Sequence, residues 1–157
     1  MLINNNMISA VWFNREKGEV MMYFRDWKPK KDIKTLTDIT VSNFRVSSDT
    51  VHEILQRSHK VLVICNDKGK VMGFLCYNLY LYKVAHVNYV VLDKKYRGKG
   101  ILQSLLPKLV AHAREKGFLA VSGLVNKNNP DALQKFKDLG FKPILTYQDD
   151  ILIQSFI

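Results

Sequence analysis

Apolar residues along the chain change their spacing several times, and each change marks an element. Met7 to Phe13 and Glu19 to Arg25 read as strands around a turn at Asn14 to Gly18. Trp27 to Lys31 breaks the pattern at Pro29. Asp32 to Val41 then takes helical spacing, with Ile33, Leu36 and Ile39 three residues apart. Ser48 to His59 predicts a second helix with Val51, Ile54 and Leu55 on one face. Lys60 to Asn66 and Val71 to Tyr82 form a hairpin around Asp67-Lys68-Gly69-Lys70, and Val84 to Leu92 is a further strand.

The second half repeats the alternation. Gly100 to Lys116 is an amphipathic helix with Leu102, Leu105, Leu106, Leu109, Val110 and Ala113 on one stripe, ended by Gly117; Pro107 inside it removes one hydrogen bond and predicts a kink. Phe118 to Val125 reads as a buried strand. Asn129 as N-cap, Pro130 at the first helical position and Asp131 near the positive end of the dipole open a last helix. That helix turns Leu133 and Phe136 inward and stops at Gly140, beyond which Phe141 supplies an apolar contact. Leu145 to Tyr147 and Ile151 to Phe156 make a final hairpin. The order predicts a mixed sheet with helices on both faces, an α/β (α+β) architecture.

Composition narrows the class. A chain of 157 residues, 47% hydrophobic and 24% charged, suits one domain with one core and excludes general disorder. No apolar run approaches the roughly 18 residues a membrane span needs, and Met1-Leu2-Ile3 lacks the basic start of a secretory signal, so a cytoplasmic protein without membrane partners is expected. Cys65 and Cys76 sit in strand-like runs and read as reduced core thiols. The four histidines form no metal-ligand pair, so no metal site is expected. The net charge of +10 suits a polyanionic partner: nucleic acid, an acidic surface or a phosphorylated cofactor.

One segment focuses that charge. Val90-Val91-Leu92-Asp93-Lys94-Lys95-Tyr96-Arg97-Gly98-Lys99-Gly100-Ile101 runs from a strand through a basic, glycine-containing loop directly into a helix. Backbone N–H groups without intrahelical partners gather there at the positive end of the helix dipole, a site that a pyrophosphate fits. Gly98 and Gly100 let backbone approach phosphate, and Lys94, Lys95, Arg97 and Lys99 add positive charge. A tight turn into a surface helix would also use two glycines. The segment carries neither the GxGxxG fingerprint of dinucleotide folds nor the Gly-Lys-Ser/Thr of P-loops.

Tyr96-Arg97-Gly98-Lys99-Gly100-Ile101 resembles the acetyl-CoA signature of the GNAT N-acetyltransferase family, Arg/Gln-x-x-Gly-x-Gly/Ala, with Arg97 and Gly100 matching. Asn129 to Phe141 resembles that family's Asn-x-x-Ala-x-x-x-Tyr-x-x-x-Gly-Phe helix. The resemblance covers roughly residues 20 to 157 and leaves 1–19 as an N-terminal extension or extra strand of a single 1–157 domain. It implies a GNAT-type fold, a mixed, mostly antiparallel sheet of six to seven strands with the family's fourth and fifth strands splayed apart.

The resemblance also implies acetyl-CoA as cofactor. Its pyrophosphate would lie on the backbone of Gly98, Lys99, Gly100 and Ile101, and its pantetheine arm along Val90 and Leu92, with Asn129 and Phe136 beside it. Acetyl transfer goes directly to an amine, without a covalent enzyme intermediate. The pattern departs from the family at two places: Leu102 stands where Gly or Ala is usual and would crowd the phosphate, and Phe136 replaces the Tyr that commonly serves as general acid.

For the base, strand periodicity puts His86, Asn88, Val90 and Leu92 on one face, and His86 stands where many members carry a Glu or His. A structural histidine within a sheet is the other reading. Asn88 would orient water or substrate, or simply be a polar strand residue. Tyr147 is a substitute acid, or an ordinary aromatic strand residue. The acceptor is an amine on a small molecule, a protein or an aminoacyl-tRNA, and nucleic-acid contact and a homodimer stay open. Family members acting on aminoacyl-tRNA share this length and basicity but keep the Tyr. A competing function is a degenerate fold that binds CoA, nucleic acid or protein without turnover, for which Leu102 and Phe136 speak.

Overall fold

The computed structural model describes residues 9–15, 18–81 and 83–157. Met7, Ile8, Tyr82 and the Glu16–Lys17 part of the first expected turn lie outside them. The chain runs β1 (Ser9–Arg15), β2 (Gly18–Asp26), α1 (Pro29–Asn43), α2 (Ser48–Arg57), β3 (Lys60–Asn66), β4 (Val71–Tyr80), β5 (Val84–Leu92), α3 (Ile101–Glu115), β6 (Ala120–Asn126), α4 (Pro130–Asp138), β7 (Lys142–Tyr147) and β8 (Asp150–Phe156). Among the described residues the strands form one sheet in the order β1-β2-β3-β4-β5-β6-β8-β7, antiparallel throughout except between β5 and β6. The strand beyond the expected six to seven is β1, which pairs with β2. It shifts the family's fourth and fifth strands to β5 and β6 here.

Alternating strand residues feed two cores. On one face Val61, Val63, Cys65, Phe74, Cys76 and Val91 pack under Leu36 and Ile39 of α1 and Val51 and Leu55 of α2. On the other, Leu62, Ile64, Leu75, Tyr77 and Leu92 meet Ile101, Leu105 and Ala113 of α3, and α4 adds Leu133 and Phe136 at the margin. Cys65 and Cys76 are free and buried, and burial raises both thiol pKa values. Gly73 permits a close backbone approach in the sheet: a Cβ there would stand 2.1 Å from the Val91 carbonyl oxygen.

Two helix starts show how the sequence sets the frame. Pro29 opens α1 rather than breaking the pattern, because its missing N–H costs nothing in a first turn. Behind it Asp32, 2% exposed, accepts from both guanidinium nitrogens of Arg25 at 2.7 and 2.8 Å and from the Lys28 amide at 2.7 Å, tying α1 to β2. At α4 the Asn129 side chain accepts from the Ala132 amide at 3.1 Å, as expected of that cap. Among the described residues no helix is long and apolar enough to cross a membrane, and no group of His, Cys, Asp or Glu is placed to hold a metal ion.

Candidate active site at a strand fork

Two neighbouring strands part in mid-sheet. β5 and β6 pair only from Val84 to Val87 with Ala120 to Gly123. Beyond that, β6 continues beside β8 and β5 beside β4, so β5 has no strand partner on its second edge from Asn88 to Leu92. A β-bulge marks the parting: Tyr89 pairs with Cys76 and Val87 with Tyr77, leaving Asn88 without a partner on β4. A bulge bends its strand and adds one residue to the count.

That extra residue corrects the expected strand face. Ala85 and Val87 lie on the α3 side together with Val90 and Leu92, whereas Tyr89 and Val91 face the α1–α2 side. His86 therefore falls on the α1–α2 side and does not share a face with Val90 and Leu92. Asn78, opposite it on β4, accepts from the His59 amide between α2 and β3.

On the α3 side the fork opens into a cavity of about 340 Å3. Asn88 and Val90 of β5, Val125 and Asn126 of β6, and Asn129 and Phe136 at α4 line its outer part. The Phe136 ring meets Phe141 edge-on at 5.5 Å and carries no polar atom into the space. Leu106, Leu109, Val110 and Ala113 of α3 form the floor. Tyr77 and His112 line the inner end. The Tyr77 hydroxyl lies 3.4 Å from His112 Nε2, and His112 Nδ1 is buried without a hydrogen-bond partner. Burial drives the tyrosine pKa up to about 12 and, with Lys116 and Lys60 nearby, lowers that of the imidazole, so both are neutral near pH 7.

Above the cavity, the basic loop leads into α3. Gly98 and Gly100 have φ of 67° and 72°, a conformation that favours glycine. Gly100 caps α3 with no side-chain bond, no acidic residue sits in the first turn, and Ser104 is the residue whose amide first closes on the Gly100 carbonyl. The amides of Ile101, Leu102 and Gln103 thus remain for an outside acceptor. Lys94, Lys95, Arg97 and Lys99 are exposed around them, Lys95 next to Asp93 at 3.5 Å. Leu102, expected to crowd a phosphate, packs instead against the α3-side core. An uncapped amide cluster, surrounding cations and an open strand edge fit the pyrophosphate and the amide-bearing arm of CoA.

The two residues expected to offer that arm a backbone edge differ. The Asp93 amide bonds to Met72 in β4, so by strand alternation Val90 and Leu92 direct their polar groups to the open edge. The Leu92 carbonyl is already engaged, by Asn43 Nδ2 at 3.0 Å and Arg97 Nε at 3.3 Å. Val90 remains at the edge.

On the α1–α2 side, His86 Nδ1 lies 2.9 Å from the Ser122 hydroxyl, and the Tyr80 ring stands edge-on to the imidazole at 5.2 Å. Burial lowers the His86 pKa. Phe44, beyond the end of α1, meets Tyr89 edge-on at 6.5 Å and reaches the cavity through the fork. Tyr147 is elsewhere: it is 70% exposed on β7, beside the Gln148 amide, and does not line the cavity. Sequence reasoning missed Ser122, the bond from Asn43 to Leu92 and the Tyr77–His112 pair. Ser122 had a signal, being the polar residue within the apolar run Ala120 to Val125.

The profile of the Acetyltransferase (GNAT) family matches residues 22–141. An uncharacterized N-acetyltransferase of Methanocaldococcus jannaschii is 27% identical over 95 residues, which are 57% of this chain and 42% of that protein; the match spans less than half of the relative. Among solved structures, PaiA N-acetyltransferase of Thermoplasma acidophilum in complex with coenzyme A superposes with a TM-score of 0.71 at 16% identity, over 87% of this chain and 99% of that one. A variant of the spermidine N-acetyltransferase SpeG from Vibrio cholerae gives 0.73 at 14% identity, over 86% and 93%. At such identities the likeness is one of fold.

Proposed function

The chain belongs to the GNAT acetyltransferase family, and from that premise we propose that it transfers the acetyl group of acetyl-CoA directly to a primary amine at the fork between β5 and β6. The observation that carries this reading is the two-sidedness of the fork. An uncapped helix N-terminus and an open strand edge serve one face, and a neutral imidazole stands on the other.

Bound acetyl-CoA would supply a thioester-activated acetyl group. The free amides of Ile101, Leu102 and Gln103 would hold its pyrophosphate, and the Val90 edge its amide-bearing arm. On the opposite face His86 takes the proton from the incoming ammonium or amine. With Nδ1–H donating to Ser122, Nε2 keeps the free lone pair that this requires. Asn88 at the bulge has no strand partner and lines the cavity, so its side chain is placed to orient the acceptor or a water. Phe136 cannot give a proton to the departing thiolate. Water does so, or the thiolate leaves unassisted, which its low basicity allows.

The acceptor amine sits on a molecule that is not strongly cationic. A protein of charge +10 repels polycations and draws acidic or polyanionic acceptors. The non-catalytic binding module keeps Phe136 in its favour, while the packing of the partly buried Leu102 against the core supports a loop open to CoA.

Calorimetric titration with acetyl-CoA and CoA, followed by a thiol-release screen of amines, tests the proposal. Saturable binding near micromolar Kd, about −8 kcal/mol, with acceptor-dependent thiol release supports it. Absence of binding at millimolar cofactor overturns it, and binding without turnover on any amine class returns the protein to the binding-module reading.

A further inference from the structure

The cavity is longer than the fork that opens it. Val90 and Asn126 line it where β5 and β6 are apart, but Ala85 and Val121 line it where the two strands are paired. From Val90 back to Ala85 the strand advances roughly 15 Å. The two parts differ in chemistry. The outer part has an unpaired backbone edge and asparagine side chains, as an amide-bearing arm requires. Along the inner part the backbone of β5 and β6 is consumed in their own ladder, and the walls are Ala85, Val121, Leu109 and Ala113. Such a wall recognises a hydrocarbon and not an amide. The small side chains of Ala85 and Ala113 leave that space between sheet and helix.

The end of this inner part is polar. Tyr77 and His112 close it, and the His112 Nδ1 has no partner although the residue is only 4% exposed. With the Tyr77 hydroxyl donating to Nε2, Nδ1 carries the proton and is a buried donor awaiting an oxygen. Nothing in the proposed acetyl transfer uses either residue.

We propose that the inner cavity is an acyl pocket and that the donor is an acyl-CoA with a chain of about four carbons bearing an oxygen near its end. This rests on the CoA-dependent acyltransfer reading above and replaces its two-carbon acetyl donor with a longer one. The reaction class is unchanged: one C–S bond breaks, one C–N bond forms, and the amine proton ends on the released thiol. The apolar walls hold the added methylenes, and His112 Nδ1–H donates to the terminal oxygen.

Calorimetric titration with acetyl-, butyryl- and acetoacetyl-CoA tests this without any turnover. Two more buried methylenes tighten binding about tenfold, so butyryl-CoA is expected to bind about tenfold more tightly than acetyl-CoA. Acetoacetyl-CoA, whose ketone reaches His112, is expected to bind no more weakly than butyryl-CoA. Ala113→Leu, checked for folding by thermal melting, is expected to bring the butyryl-to-acetyl ratio towards one. Acetyl-CoA binding as tightly as the four-carbon donors overturns the pocket, and a clear penalty for the ketone overturns its terminal oxygen. Failure of all three to bind strikes instead at the acyltransferase reading, so the two results are distinguishable.

Discussion

His86 Nδ1 and the Ser122 hydroxyl stand 2.9 Å apart on adjacent parallel strands, paired in register just before those strands separate. The serine thereby sets the orientation of the imidazole at the fork. His86→Ala is expected to lower kcat by about 10² to 10⁴, the range of a lost general base. Ser122→Ala is expected to lower it about tenfold with little change in KM for the donor. Steady-state kinetics on the amine found in the screen checks both.

The same pair fixes a pH dependence. Burial lowers the His86 pKa from its ordinary 6.5, so the imidazole is unprotonated at neutral pH, and the base role proposed for it is lost only as acid protonates it. The acid limb of kcat is expected below pH 6.5. In Ser122→Ala the limb shifts while the melting temperature changes little, a combination that a purely structural serine would not produce.

The phosphate end of the site is tested at Gly98. No atom lies within 4 Å of a Cβ placed there, so Gly98→Ala meets no clash and pays only for its φ of +67°. A left-handed alanine costs about 1–2 kcal/mol. If the loop must hold that φ to present its amides to a phosphate, CoA affinity is expected to fall about tenfold by calorimetry, with the far-ultraviolet spectrum unchanged.

Asp32 tests what joins α1 to β2. Burial alone would raise its carboxyl pKa, but the Arg25 guanidinium and the Lys28 amide outweigh that and hold it below the ordinary 3.8. Its stabilisation is therefore present above pH 3.8 and fades as pH drops through the lowered folded value. Asp32→Asn strands Arg25 beside a neutral group and is expected to cost about 3 kcal/mol in urea melts at pH 7. It should also flatten the dependence of stability on pH in the acid range.

Gly73→Ala sets a Cβ against the Val91 carbonyl and is expected to destabilise the chain by about 3 kcal/mol. Since the strain falls on the β4–β5 ladder near Leu92, cofactor binding should weaken together with the melting temperature.

Much of this architecture was legible because the signals were local. β3 and β5 have the bounds that apolar runs predict, and the Asn129-Pro130 start and the Gly140 stop of α4 follow from capping chemistry alone. Pro29 was misread as a break because a proline looks alike before a helix and inside one until the first turn is located. The bulge at Asn88 was harder. The inward residues Ala85, Val87, Val90 and Leu92 step by two, three and two, which records the insertion. Tyr89 and Val91 are apolar as well, since the second core covers that face, and they hide the skipped beat. The Asn43 bond to Leu92 spans 49 residues and has no sequence signal.

A carbonyl oxygen has two lone pairs, and Leu92 lends one to the last turn of α1 and the other to the arginine of the basic loop. The last turn of α1 and the basic loop are thus moored to a single atom, and a shift of that oxygen disturbs both attachments at once.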